Sequence, residues 1–437
     1  MKSAISGKNV WMFLLATACV SLSCRTATTQ WPQWGGLNRN FMTEAAGLAD
    51  KWPEAGPTKL WDRELGDGYS TILVDAGVLY TMYRVGDDEF TVALDAQSGK
   101  TLWEHKNASP FTDLMKQFGP GPSSTPLLSG DRLYSIGTNA VLHCFDKKTG
   151  KVIWKHDLPA DFNAPIPGRG YCCSPIAYKN TIIVPVDRKR DDDDDGDGES
   201  EEKDSASEKP EGQTLIAFDR EDGHVVWKNQ DYEITHSSPI LIKFGGEEQL
   251  VFLMNKEMMG VNPSNGELLW HQAFEPEGAN FPTPLWNGND LIFCSSAYDS
   301  GSRLIKLTKK DGKTTPEELW YSRKLRINHG NAVRIGDYVY GSSGDSGPAF
   351  FACMNLKTGK VAWRKRGFAK STCVLADGKI IILDEDGQLA LATVSPEGLK
   401  VLSKCTITKR YSWAAPTLVG TTLYVRDRER IMALDLS

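Results

Sequence analysis

The 437-residue sequence contains no C-x-x-C, no C-x-x-C-H and no histidine pair at metal-ligand spacing. A zinc ribbon and covalently attached haem are therefore excluded, and no metal site is read from the chain. Of its 9 cysteines, Cys19 and Cys24 lie in or beside an apolar N-terminal run. The odd number left for the body does not make a disulfide framework. Positive charge is also short, with 50 Lys and Arg against 56 Asp and Glu, a net of -6. One stretch, "DRKRDDDDDGDGESEEKDSASEKPE" (187–211), holds 13 acidic and 5 basic residues. Without it the body carries about +2, so no basic face for nucleic acid is expected. Long hydrophobic runs are missing except "VWMFLLATACVSL" (10–22), too short for a comfortable membrane span.

That run follows Lys2 and Lys8, the layout of an export signal over 1–23. Cleavage after "ATA" (16–18) and lipidation at Cys24 in "SLSC" are both open. Residues 24–50 then read as a linker and lead-in.

What the chain has in abundance is repetition. Residues 93–103 read "ALDAQSGKTLW", 144–154 "CFDKKTGKVIW", 217–227 "AFDREDGHVVW", 260–270 "GVNPSNGELLW" and 353–363 "CMNLKTGKVAW". Each is a strand end, an Asp or Asn that can bond its own backbone, a Gly where φ turns positive, and a strand carrying Trp. Trp320 closes a longer copy, and Val401 closes one that has lost its Trp. Trp61 has the second half alone, and the terminal "MALDLS" (432–437) has the first. Joining these ends closes a ring without sheet edges at the seam.

A second repeat runs in step, as in "SSTPLLSGDRLYSI" (123–136), "CCSPIAYKNTIIVP" (172–185) and "WAAPTLVGTTLYVR" (413–426), with weaker relatives from Tyr69, Gly330 and Ser371. Each is a strand, a turn and a β-branched strand. The spacing predicts an all-β fold, an eight-bladed β-propeller of four-stranded blades over 51–437, with the ring closed by the N- and C-terminal strands. The tryptophans at the repeat position (Trp61, Trp103, Trp154, Trp227, Trp270, Trp320, Trp363) are structural docking residues, and an acidic excursion at 187–212 interrupts one hairpin.

The "A-x-D-x-x-T-G-K-x-x-W" sentence resembles the docking motif of PQQ-type eight-bladed propellers, a family that includes quinoprotein dehydrogenases and BamB-like lipoproteins. The likeness covers roughly 50–437. It implies either an exported non-enzymatic scaffold with a protein partner and no cofactor, or a small PQQ- and Ca²⁺-dependent dehydrogenase acting on an alcohol or sugar. Nucleic acid is not an expected partner under either. Membrane contact is expected only through a lipid anchor, and the compartment is periplasmic or at the outer membrane.

"GRGYCCSPI" (168–176) bears on that choice. Dehydrogenases of this family carry an adjacent cysteine pair, bridged, against the cofactor; Cys172 and Cys173 match it in part. Aligned on the repeat, however, they fall where other blades have Ser123-Ser124, His236-Ser237, Phe281-Pro282 and Trp413-Ala414, at positions that take small side chains. Both readings stay open. The same alignment gathers Tyr69, Arg169, Tyr171, Cys172, Cys173, His236, Asn328, His329, Lys370 and Trp413 around one channel mouth. Such a set could hold an anionic or aromatic small molecule. No residue is assigned to Ca²⁺ binding or catalysis.

Two further matches are declined. "DDDDDGDGESEE" (191–202) fits the Ca²⁺-loop pattern only because it is acidic throughout, and no apolar helix pattern flanks it. "GDSGP" (344–348) resembles a serine-protease loop but lies inside a propeller repeat.

Overall fold

A computed structural model of the chain describes residues 30–110, 118–187, 213–274, 280–298, 300–344, 349–409 and 411–437. The expected export signal, Cys24, the Ca²⁺-loop match and most of the acidic excursion and of "GDSGP" lie outside them. Among the described residues the strands form eight four-stranded antiparallel sheets. Seven sheets are continuous in sequence: 73–108, 127–157, 176–229, 240–273, 285–322, 332–366 and 372–406. We number these blades 1 to 7. Blade 8 joins the two ends: Thr58–Glu64 pairs antiparallel with Arg430–Asp435, with Thr58 opposite Asp435 and Glu64 opposite Arg430. No helix among the described residues is long and apolar enough to cross a membrane.

The docking tryptophans follow one physical rule. Every blade carries a β-bulge on its outer strand just before this position, as between Lys59 and Trp61 opposite the closing strand. The extra residue re-aims the side chain that follows. Trp61, Trp103, Trp154, Trp320 and Trp363 then donate their indole N–H to a turn carbonyl of the next blade: Ala96, Lys147, Arg220, Leu356 and Ser395. The ring lies on the turn glycine. A Cβ built on Gly99 would come 2.6 Å from Trp61, on Gly223 2.6 Å from Trp154, on Gly266 2.6 Å from Trp227 and on Gly359 2.7 Å from Trp320. These glycines serve twice, for positive φ and for the absent side chain. Trp270 differs, donating instead to Gln249 Oε1 of its own blade at 2.8 Å.

The register corrects one reading. In blade 7 the residue at the tryptophan position is Ser403, opposite Leu391; Val401 pairs with Ala392 on the far side of the bulge. Elsewhere the residue opposite the Trp is usually small (Ala433, Ala93, Cys144, Ala217, Gly260, Cys353). Large-opposite-small is thus exchanged for small-opposite-large. Ser403 Oγ also accepts the backbone N–H of Trp52, whose ring is buried, at 2.8 Å.

The stretch expected as a lead-in closes one end of the channel. Trp31 and Val74 of blade 1 exchange backbone hydrogen bonds, Leu128 N–H of blade 2 donates to Pro32, and Phe41 and Thr43 bond Leu375 of blade 7. The buried guanidinium of Arg39 donates to the carbonyls of Pro175 at 2.9 Å and Ser174 at 3.2 Å in blade 3. Desolvation lowers its pKa to about 10, so it remains charged at neutral pH. One short segment therefore ties blades on opposite sides of the ring.

Candidate functional site

Against this segment, the starts of the innermost strands surround a funnel of about 140 Å³. In blades 1 to 4 three consecutive positions have distinct roles there. The third links these blades: Thr71 N–H donates to Thr125 Oγ1, Thr125 N–H to Ser174 Oγ and Ser174 N–H to Ser238 Oγ, all at 3.0 to 3.1 Å between successive blades. The second is buried and small: Ser124 Oγ donates to Cys173 O at 3.0 Å, and Ser237 Oγ to Pro282 O at 2.8 Å. The first position faces the funnel and varies: Ser123, Cys172, His236, Phe281 and Trp413 all line it.

This resolves the orientation of the cysteine pair. Cys173 is buried, with Sγ 3.2 Å from Ser237 O, and desolvation pushes its thiol up to about 12. Cys172 turns the other way, onto the funnel wall, with Sγ 3.4 Å from Gly170 O. Cys173 is a free thiol, as is Cys144, which is buried opposite Trp154.

Of the other residues expected at the mouth, Tyr69, Arg169, His236, His329 and Trp413 line the funnel. Tyr171 and Asn328 do not: both are buried, and Tyr171 donates its hydroxyl to Pro185 O at 2.8 Å. Lys370 lies behind the wall, 5.6 Å from the Trp413 ring and 3.7 Å from Glu385. Trp34, Phe118 and Phe281 were not anticipated as wall residues. Phe281 sits at a position the repeat alignment had already marked. Trp34 rises from the closing segment, with Nε1 donating to Thr283 Oγ1 of blade 5 at 2.8 Å, and nothing in the sequence announces this crossing.

The funnel is two-sided. From blade 4 round to blade 1 its wall is aromatic: His236 stacks on Phe281 at 5.0 Å, His329 meets Phe281 edge-on at 4.7 Å and Trp413 at 4.3 Å, and Tyr69 lies 5.3 Å from Trp413. From blade 2 to blade 4 it offers Ser123, Ser174, Ser238 and Arg169, whose guanidinium lies 5.7 Å from the Phe281 centroid. Burial first, then Arg169, lowers the His236 pKa to about 4. Burial, Lys370, Arg169 and His236 together lower that of His329 to about 3. Both rings are neutral at pH 7, so Arg169 is the one formal charge among the described lining residues.

Ca²⁺ takes six to eight oxygen ligands, with carboxylates among them. The described lining contains no carboxylate. The nearby Glu385 is engaged by Trp413 Nε1 at 3.3 Å and by Lys370. The donor set therefore does not fit a Ca²⁺-supported quinone. One other group of metal-ligand types, Asp219, Asp222 and His224, lies in the blade 3 turn. There Asp219 accepts the N–H of Glu221 and Asp222 accepts from His224, as the turn itself requires.

Residues 87–365 match the family described as outer membrane protein assembly factor BamB. Among solved structures, the chain is similar to quinohemoprotein alcohol dehydrogenase ADHIIG from Pseudomonas putida HK5. The two are 11% identical with a TM-score of 0.63, covering 93% of this chain and 80% of that one. A europium-containing methanol dehydrogenase gives 12% identity and a TM-score of 0.61, covering 93% and 89%. The computationally designed protein Ika8 gives 10% and 0.55, covering 87% and 100%. No curated protein matches. At such identities the structural likeness is one of fold, and it spans two enzymes and a designed protein alike.

Proposed function

We propose that this chain, which belongs to the family described as outer membrane protein assembly factor BamB, is an exported, non-catalytic binding protein that engages a protein partner through its propeller. The observation that carries the reading is the composition of the funnel: aromatic rings, neutral histidines, hydroxyls and one arginine, without the carboxylates a Ca²⁺-dependent dehydrogenase would need. The channel is also closed from below by residues 31–43, bonded to several blades at once, which favours a rigid binding platform. No general base with a hydrogen-bonded partner lines the described part of the funnel.

The dehydrogenase alternative keeps one supporting observation, the half-exposed Cys172 on the funnel wall. It is tested by calorimetric titration of the full mature chain with PQQ, with and without Ca²⁺. No Ca²⁺-dependent heat at micromolar protein is the expected result. Tight one-to-one binding that requires Ca²⁺ would overturn the non-catalytic reading. For the partner, a photo-reactive residue in place of the exposed Ile166, near Arg169, is expected to give one discrete adduct in intact cells. A diffuse smear would count against a defined protein partner.

A further inference from the structure

Resting on the non-catalytic reading, we infer that the funnel is a selective site for a single aromatic ring bearing one carboxylate, with Arg169 reading the carboxylate and Trp34 limiting the ring size. Three features converge on that chemistry.

The first is the division of the wall. Half is aromatic, and ring pairs at 4 to 6 Å favour a further ring in an edge-on or offset contact. The other half carries donors. Ser174 Oγ accepts a backbone N–H, which leaves the hydroxyl its own proton to give, and Arg169 adds its guanidinium N–H groups. A ligand that satisfies both halves is apolar and flat on one side and an acceptor on the other.

The second is charge. Arg169 is the one formal charge among the described lining residues, and the two histidines are held neutral by burial and by the cations around them. A guanidinium offers a planar fork that matches one carboxylate. A polyanion would leave further charges unpaired in an apolar wall, which is costly.

The third is size. About 140 Å³ is close to the roughly 150 Å³ of an apolar cavity that takes benzene. The closing segment contributes one lining residue, the Trp34 indole, fixed by its bond to Thr283. Trp34 belongs to that segment rather than to any blade, so the site is bounded in part by a residue outside the repeat.

The test is calorimetry on the full mature chain with benzoate, benzamide, cyclohexanecarboxylate and 2-naphthoate. Benzoate is expected to bind at least about tenfold more tightly than benzamide, the worth of one charge-assisted contact, and more tightly than cyclohexanecarboxylate. Arg169→Gln should erase the preference for benzoate over benzamide while leaving the melting temperature unchanged. Trp34→Ala should shift the preference toward 2-naphthoate; Trp34→Leu serves if the alanine variant melts early. Equal binding of benzoate and benzamide, indifference to Arg169→Gln, or equal binding of the saturated acid would each overturn the inference.

The carboxylate could come from a free metabolite or from a chain end. A tripeptide ending in Phe, compared with its amide, distinguishes the two: binding of the free acid alone assigns a chain end, and binding of benzoate with neither peptide assigns a small molecule. Ca²⁺-dependent PQQ binding in the same instrument would sink the non-catalytic reading. Failure of benzoate without PQQ binding would sink this inference alone.

Discussion

Replacing Gly223 tests the docking rule directly, because its two contributions can be separated. Its φ is +79°, and a Cβ there would lie 2.6 Å from Cδ2 of Trp154. The backbone part of Gly223→Ala is about 1 kcal/mol. The clash is an overpacking of a buried ring, about 1–3 kcal/mol, so the single variant should lose roughly 2–4 kcal/mol in all. Trp154→Ala removes a largely buried indole between two blades, together with its bond to Arg220 O at 3.3 Å, at a cost of about 3–5 kcal/mol. Once the ring is gone, the alanine at 223 has nothing to strike. The double variant should therefore be more stable than the sum of the singles by about 1–3 kcal/mol. Urea denaturation followed by far-UV circular dichroism measures all three, provided the slope stays constant across variants. Gly246→Ala is the control: its φ is +88°, but nothing lies within 4 Å of the added carbon, so only the backbone term remains. Additivity of Gly223→Ala and Trp154→Ala would refute the account of why these turns carry glycine.

Acid should destabilise the fold. Burial lowers the folded-state pKa of His143 and His236 to about 4 and of His329 to about 3. Below the unfolded value of about 6.5 the unfolded chain binds protons that the folded chain refuses, so stability falls as pH drops from 6.5 toward 4. Burial raises Asp384 to about 6, which acts in the opposite sense between pH 6 and 4, one group against three. Calorimetric melting across pH 7 to 4.5 should show a decline, shallower in His143→Gln; a flat profile would contradict it. Arg39→Met should cost about 2–4 kcal/mol, since the buried carbonyls of Ser174 and Pro175 lose their donors, and a melting temperature within error of wild type would show that the closing segment does not brace the ring. Ser403→Trp should destabilise by about 1–3 kcal/mol through overpacking against Leu391 and Trp52. Adding Leu391→Ala should recover part of that loss in the same urea assay, and no recovery would argue against the exchange of volumes across that strand pair.

The blades were legible in the sequence because their determinants are local. An Asp or Asn turn, a glycine with positive φ and a tryptophan four residues on all fall within eleven residues and recur. Even so, the eleven-residue sentence does not reveal the bulge before each tryptophan, since a bulge is a property of two paired strands. For that reason the sequence pattern points to Val401 at the tryptophan position, where Ser403 stands. Had Leu391 been read as the large partner of a lost tryptophan, among the Ala, Cys and Gly that occupy its position in most blades, the shift would have been visible.

The funnel was legible in part for a related reason. Position one of each inner strand could be lined up across blades, which found Tyr69, Cys172, His236, His329 and Trp413. An aligned position does not say which of two neighbours turns inward, and Tyr171 and Cys173, adjacent to Cys172, are both buried. Trp34 escaped altogether. Its place depends on contacts across 249 residues to Thr283, on Arg39 reaching Ser174 and Pro175, and on Phe41 pairing with Leu375. A repeat specifies what is the same in every blade. Trp34 comes from a segment that belongs to no blade, so its chemistry is free to change while the ring that holds it stays the same.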